Sequence, residues 1–384
     1  MALAVPSGGS PPPTDHRPAA ASPVPGVALT PVPMQVRRRP TSPTPALSVV
    51  IVNFCQWRNT ARLVSQLRHS AAARTGLADV VVVDNHSPSH PVVRKLEKLS
   101  GVTVRRFSRN LGFARAVNRG VAEPFTPGRS RSRPATSPSD WVLLLNPDVT
   151  VEDGFLDDVV ASIEKISASE PTAGVIGFRM RNRDGSAQAS SGPLPTLWRT
   201  LTGLALPRSR RTSRHPPVTQ STGCRDDSGR CVHFRRDCFQ QLGGLDESYF
   251  LYYEDVDFCR RAAAGGWSVW YDPSLEVTHH WPLHARRVPA PLRLMTRHAL
   301  LTYAKKHWSG WRSAVMNAVV WGEAAVRQAW AAVRGDSDGS RCYGQLRRLV
   351  GDVVAGREKE ARRRIRYAAA FLDPIAAEQD GRTS

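Results

Sequence analysis

The sequence predicts an α/β fold: a mostly parallel sheet covered on both faces by helices, followed by a helical C-terminal extension. Three observations carry this. The runs Leu47-Ser-Val-Val-Ile-Val-Asn-Phe54, Asp79-Val-Val-Val-Val-Asp84 and Trp141-Val-Leu-Leu-Leu145 are apolar almost throughout, as strands buried on both faces are. Helical patterns alternate with such runs through residue 170, the order of a parallel sheet with crossover helices. Beyond about residue 285 the strand-length runs give way to Arg-, Ala- and Trp-rich helical stretches.

Taken in order, residues 1–46 are rich in Pro, Ser and Ala and read as a disordered leader. A helical pattern over Gln56–Ser70 follows the first strand. The second strand leads to a helix at Val92–Leu99, a strand at Val102–Phe107 and a helix at Leu111–Val121. Pro124–Ser139 breaks the pattern with prolines and arginines and reads as a loop. After the strand at Trp141 come a helix at Gly154–Ser169 and a strand at Gly174–Met180. Thr200–Asp227 is basic and poorly patterned, a long loop. Glu254–Ala264 is a helix, and Trp267–Tyr271 and Leu275–Thr278 are short strands. Helical segments follow near 291–307, 311–334 and 341–372. The domain division is thus a leader at 1–46, an α/β domain at 47–284 and a helical extension at 285–384.

In the 384-residue chain, 53 Lys and Arg outweigh 33 Asp and Glu, a balance that favours anionic partners such as an acidic membrane surface or phosphorylated ligands. No basic-aromatic nucleic-acid module stands out, and nucleic acid is not expected as a partner. The six cysteines form no CxxC pair, so free thiols in a reducing compartment are expected, although a disulfide among Cys224, Cys231 and Cys238 stays open. No signal-peptide pattern and no run of 18 uncharged apolar residues occur. The expected location is the cytosol, with a peripheral seat on the inner face of the cell membrane.

Three buried-type strands end in polar residues: Asn53, then Asp84 and Asn85, then Asn146-Pro-Asp148. In an open α/β sheet the ligand crevice lies beyond the carboxyl ends of the strands. Each group alone could begin a turn; three in succession favour a site. Asn110-Leu-Gly112 stands at a strand-to-helix junction, where a glycine admits close backbone approach and helix-start N–H groups suit a phosphate or a sugar hydroxyl. Asn118 lies inside the helix that follows, where capping does not account for it. Asp148 with His279 is a plausible ligand pair for Mg²⁺ or Mn²⁺, and His280 would point away if the strand continues. In the acidic cluster Tyr252-Tyr-Glu-Asp-Val-Asp-Phe258, positions 255 and 257 point about 200° apart on a helix. Asp257 has an i,i+4 partner in Arg261. Asp255, among aromatics, is the candidate base.

In their order, Val-Ile-Val-Asn53, Val-Val-Asp84-Asn-His-Ser87, Asn110-Leu-Gly-Phe, Asn118-Arg-Gly120, Leu-Asn146-Pro-Asp148, Gly243-Gly-Leu-Asp-Glu247, Tyr253-Glu-Asp-Val-Asp257 and Pro273 to His279 resemble the inverting glycosyltransferases of family 2, and within them the rhamnosyltransferase-like branch. The resemblance covers roughly residues 47–281. It implies a GT-A fold and a nucleotide-sugar donor. It implies that Asp84 meets the nucleotide base, that Asn110 and Asn118 lie near ribose and diphosphate, and that Asp148 and His279 hold Mn²⁺ or Mg²⁺. It further implies that Asp255 takes the proton of a hydroxyl acceptor in a single displacement. Asn53, Asn85, Gly112 and Asn146 join the donor side. The chain departs from the family at Arg230, where a small residue is usual near the acceptor, in the long Pro124–Ser139 loop, and at His280-Trp-Pro-Leu-His284.

The function expected is transfer of a sugar, rhamnose first among the choices, to a hydroxyl acceptor such as a lipid-linked glycan in cell-envelope or polysaccharide assembly. The alternatives are a soluble small-molecule acceptor on the same scaffold, or a sugar-nucleotide-binding protein without turnover.

Overall fold

The computed structural model describes residues 47–122, 139–188, 190, 192–205, 222–223, 232–280 and 288–370. The leader at 1–46, the proline-rich loop at 124–138, and Cys224, Arg230, Cys231 and His284 lie outside these residues.

Among the described residues ten strands form one sheet: β1 (Leu47–Asn53), β2 (Ala78–Asp84), β3 (Val102–Arg106), β4 (Trp141–Leu145), β5 (Val149–Thr150), β6 (Ala173–Asn182), β7 (Ala187–Gln188), β8 (Thr222–Gly223), β9 (Val232–Arg235) and β10 (Ser268–His279). The main order is β3-β2-β1-β4-β9-β6-β10-β5, with β7 on β6 and β8 on β10. β1, β2, β3 and β4 pair in parallel, as do β6 and β10. β9 is inserted antiparallel between β4 and β6, and β5 runs antiparallel to the end of β10. The sheet is therefore mostly parallel, as the unbroken apolar runs predict. The two short strands expected at 267–278 are one strand, β10, whose register slips between Asp272 and Glu276.

Alternate residues of each central strand enter different cores. Val49, Ile51, Val80, Val82, Leu143 and Leu145 pack with α1 (Trp57–Leu67), α3 (Val92–Leu96) and α5 (Phe155–Ser169), while the short α2 (Ala71–Arg74) adds Ala72. Val50, Val52, Val81, Val83, Val142 and Leu144 pack on the other face with α4 (Phe113–Ala122), α7 (Arg236–Gln241) and α8 (Glu254–Ala264). A strand apolar on both faces can only be satisfied in this way. α4 lies close on the sheet: a Cβ on Gly120 would stand 2.8 Å from Val50.

The remaining helices are α6 (Leu197–Ala205), α9 (Ala290–His307), α10 (Gly310–Val333), α11 (Ser337–Val354) and α12 (Glu358–Ala369). α6 occupies the start of the stretch expected to be a loop, and its Leu197 packs with Leu292, Met295 and Leu301. The single helix expected at 341–372 is two. Gly356, at φ +69°, turns the chain after α11, and the Arg357 N–H donates to the Asp352 carbonyl, a left-handed helix stop. The α9–α12 core also takes in Phe250, Leu251, Tyr252 and Tyr253, so the segment leading into α8 is packed against these helices.

Candidate active site

The carboxyl ends of β1, β2 and β4 share one edge of the sheet, because these strands are parallel and in register. Asn53, Asp84 and the turn carrying Asn146 and Asp148 therefore gather there, as expected of a ligand-binding edge.

The first cluster is closed. Asn53 and Asp84 are wholly buried. The Asn53 amide donates to Asp84 Oδ1 at 3.0 Å and Ser87 Oγ at 3.0 Å, and its oxygen accepts from Thr60 Oγ1 at 2.8 Å. Asp84 also accepts from the Ser87 N–H and from Arg106 Nε at 3.0 Å. Here Asp84 is a buried hub joining the ends of β1, β2 and β3, and its carboxylate is not presented to solvent. The role at the nucleotide base that the resemblance implies for it has no open face in this arrangement. Asn85 is tied to Asn110: its Nδ2 donates to Asn110 Oδ1 at 2.9 Å, and its Oδ1 accepts from the Leu111 N–H at 2.8 Å.

Gly112 is needed for a contact within the chain. At φ +88°, a Cβ there would lie 2.7 Å from the Phe250 carbonyl oxygen, and that carbonyl accepts from the Phe113 N–H at 2.6 Å. Asn118 is a strut as well: it exchanges hydrogen bonds with the Leu245 backbone and donates to Glu247, which Arg115 also holds. Both contacts fix residues 244–250, the approach to α8, against α4. The Gly243-Gly-Leu-Asp-Glu247 motif is thus joined to the Asn110–Gly120 motif by geometry the sequence did not reveal.

The second cluster is Asp148 and His279, with Nε2 to Oδ2 at 3.3 Å. They are 131 positions apart and meet because β5, one residue beyond Asp148, pairs antiparallel with the end of β10. His279 Nδ1 lies 3.0 Å from the Gln188 side chain on β7, a partner sequence reasoning missed. A fixed Nδ1 leaves Nε2 directed at the carboxylate, the usual support for a ligating imidazole. His280 turns away and meets Thr150 Oγ1 at 3.0 Å. Asn146 is partly buried in the same turn, and its carbonyl accepts from the Val149 N–H. Among the described residues no group of three or more His, Cys, Asp or Glu is placed to hold a metal. One hard oxygen donor and one imidazole would fit as part of the ligand set of a divalent ion.

The third cluster is the start of α8. Asp257 is buried and held by Arg261 at 2.6 Å, by His307 of α9 at 2.7 Å and by the Tyr249 hydroxyl. Burial alone would raise its pKa; the His307 hydrogen bond and the Arg261 charge hold it below the ordinary value. Arg261 was visible as an i,i+4 partner; His307 was not. Asp255 is only partly buried, with one oxygen accepting from the Val256 N–H. Glu254 is buried, and burial first, then the Asp255 charge, pushes its pKa well up. Glu254 lies about 60° from Asp257 around the helix and adjoins Asp255, a carboxyl that solvent reaches.

Backbone strain marks the same edge. The non-glycine residues with left-handed φ are Cys55, His86, Tyr252 and Tyr253 among the described residues. Two follow the ends of β1 and β2, and two immediately precede Glu254. Such conformations cost roughly 1–3 kcal/mol each and collect at functional sites.

Comparison with known proteins places this sheet and its polar edge among the glycosyltransferases. The family model described as glycosyltransferase like family 2 matches residues 45–300, and the chain belongs to that family. It is 31% identical to the N-acetylglucosaminyl-diphospho-decaprenol L-rhamnosyltransferase of Mycobacterium tuberculosis over 296 residues, 74% of this chain and 92% of that protein. It is 26% identical to a low-salt glycan biosynthesis hexosyltransferase of Haloferax volcanii, over 63% of this chain and 69% of that one. Among solved structures, a mannosyltransferase from Pyrobaculum calidifontis in complex with GDP-Man and Mn²⁺ superposes with a TM-score of 0.46 at 16% identity, covering 86% of this chain and 87% of that one.

Proposed function

We propose that the protein transfers rhamnose from a nucleoside diphosphate donor to a hydroxyl of a lipid-linked acceptor sugar, inverting the anomeric carbon, in assembly of a cell-envelope glycan. The observation that carries the reading is the Asp148–His279 pair at the carboxyl edge of the sheet, in a chain 31% identical to a rhamnosyltransferase named for a diphospho-decaprenol acceptor.

In this reading Asp148 and His279 hold Mn²⁺ or Mg²⁺, which when bound offsets the charge that grows on the departing diphosphate. Asn85, Asn110 and Asn146 line the donor side. Asn53, Asp84, Gly112 and Asn118 act one step back, fixing the strand ends and the 244–250 segment that those groups rest on. Asp255 accepts the acceptor hydroxyl proton as its oxygen attacks the anomeric carbon, and the bond to the diphosphate oxygen breaks in the same step. Burial and the Asp255 charge favour the neutral form of Glu254 beside it.

The test is donor binding and slow hydrolysis over a panel of nucleotide sugars with Mn²⁺, Mg²⁺ or EDTA, then transfer to a short-chain polyprenyl-diphosphate-N-acetylglucosamine. Metal-dependent binding of dTDP-rhamnose, abolished in Asp148→Ala, is expected. Asp255→Asn should retain that binding and lose about a thousandfold in turnover, the middle of the range for removing a general base. Binding of no donor under any condition would sink the reading; turnover with a different donor or a soluble acceptor would replace its finer terms.

A further inference from the structure

Helix α10 is apolar on both sides. Its charged residues Glu323 and Arg327 face inward, where Glu323 joins Arg293 at 3.1 Å and Arg297 at 2.6 Å on α9. Met316, Val320, Ala324 and Ala331 complete the buried side. At about 100° per residue, Trp311, Val315, Ala318, Val326, Ala329 and Val333 form one stripe on the opposite side, all exposed. Val326 is 71% and Val333 82% accessible. A surface helix ordinarily turns charged and polar residues to that side. No Asp, Glu, Lys or Arg interrupts the stripe from Trp311 to Val333; Arg312 sits on its border.

The borders are specific. Trp311 lies under Arg312 at 5.3 Å, Trp330 under Arg334 at 4.5 Å, and Trp321 under Arg347 of α11 at 4.6 Å. Tryptophan–arginine pairs thus flank an apolar strip at both ends and along one side. Residues 288–370 carry sixteen Lys or Arg and six Asp or Glu, so the surroundings are strongly cationic. Among the described residues no helix is long and apolar enough to cross a membrane.

We propose that the outward face of α10 lies in the interface of an anionic phospholipid bilayer, parallel to its plane. The strip is about 33 Å long and about 10 Å wide, which gives roughly 300 Å². That is well under the ~800 Å² per partner of a stable protein interface, so a second copy of the chain would find little to hold. It suits an interfacial helix, whose apolar face enters the headgroup boundary while tryptophans sit at headgroup level and basic side chains meet the phosphates. Affinity then comes from two sources, apolar insertion and charge, and both are required. The inference rests on α10 and its neighbours and does not depend on the donor or the acceptor.

The experiment is flotation of the full-length protein with phosphatidylcholine vesicles, with and without phosphatidylglycerol, at low and high salt. The wild type should float with the anionic vesicles only, less so at high salt, and shallow lipid-borne quenchers should quench its tryptophan emission. Val326→Glu with Val333→Glu should lower partitioning by roughly tenfold or more while leaving donor binding intact, which separates this inference from the functional reading above. Arg312→Glu with Arg334→Glu should lose most of the salt dependence. Wild-type protein that ignores anionic vesicles at low salt would overturn the proposal. So would light scattering that shows a dimer which the Val326 and Val333 changes convert to monomer, because a second copy would then own the face.

Discussion

Two ionisable groups of the sheet and two of the C-terminal helices are buried in opposite ways. In the sheet His233 and Asp79 are nearly alone, unlike Asp84 beside Arg106. His233 on β9 is fully buried against Trp141 and Phe178, with no hydrogen-bond partner for either ring nitrogen among the described residues, and burial drives its pKa down to about 3. Asp79, at the amino end of β2, has an unpartnered buried oxygen, and burial raises its pKa to about 7 against opposing help from Ser48 and Arg236. In the helices, carboxylates sit in nests of guanidinium. Glu323 meets Arg293, Arg297 and Arg327, which outweigh burial and bring its pKa to about 2. Asp352 meets Arg357 and Arg364. The difference follows from secondary structure. A residue inside a sheet of valine and leucine has only short apolar neighbours, whereas adjacent helices let long arginine arms converge from several turns.

The largest effect should come from breaking a nest. Glu323→Ala strands three cations that share one partner and should cost about 3–5 kcal/mol, read by urea denaturation. If donor binding persists at urea concentrations where the helical signal is lost, the two regions unfold as separate units, which would support the division near residue 285 expected from sequence. Next is Gly112→Ala, which imposes a Cβ on the Phe250 carbonyl and a left-handed φ on alanine. A loss of about 2 kcal/mol in stability is expected, with weaker turnover, because Phe250 leads directly to the start of α8. Thermal denaturation and transfer rates check both.

The two smaller effects have opposite pH slopes. Asp79 holds its proton more tightly folded than unfolded, so its contribution to stability is present below about pH 4 and is lost as pH rises through about 7. Asp79→Asn should therefore be more stable than wild type by roughly 1–2 kcal/mol at pH 8, an advantage that shrinks toward pH 4. His233 is neutral when folded, and the unfolded chain takes up a proton below about pH 6.5. Stability is therefore lost as pH falls from there toward about 3. His233→Phe should gain about 1 kcal/mol on the wild type between pH 7 and pH 5. Melting temperatures across that range that move in parallel for all three proteins would remove the distinction between lone and nested charges.

Much of this architecture could be read in advance where local pattern and burial agree. β1, β2 and β4 are apolar on both faces, so their place at the centre of the sheet and the polar residues at their ends were legible. The helix at Glu254–Ala264 was legible to the residue, and the Asp257–Arg261 pair came from helical spacing alone. What escaped reading depends on pairings across long separations. β9 is four residues long, too short to show a period, yet it divides the parallel strands into two groups. Gln188 behind His279, His307 behind Asp257, and Phe250 over Gly112 each join segments far apart in sequence that only the tertiary fold brings together. For Asn53, Asp84 and Asn118, residue type suggested donor contacts, but their hydrogen bonds are made within the protein.

The slip in β10 has a consequence for parity. Three residues, 273–275, stand between Asp272, opposite Phe178, and Glu276, opposite Arg179. Side chains on a strand alternate, so whether His279 or His280 faces Asp148 is decided by the count of residues in that slip. Removing one of them while the slip still spans three residues would bring Val277 opposite Arg179 and exchange the two histidines. The imidazole beside the carboxylate is thus chosen by an odd or even number of residues several positions upstream, and two neighbouring histidines in a relative need not correspond in the order in which they are written.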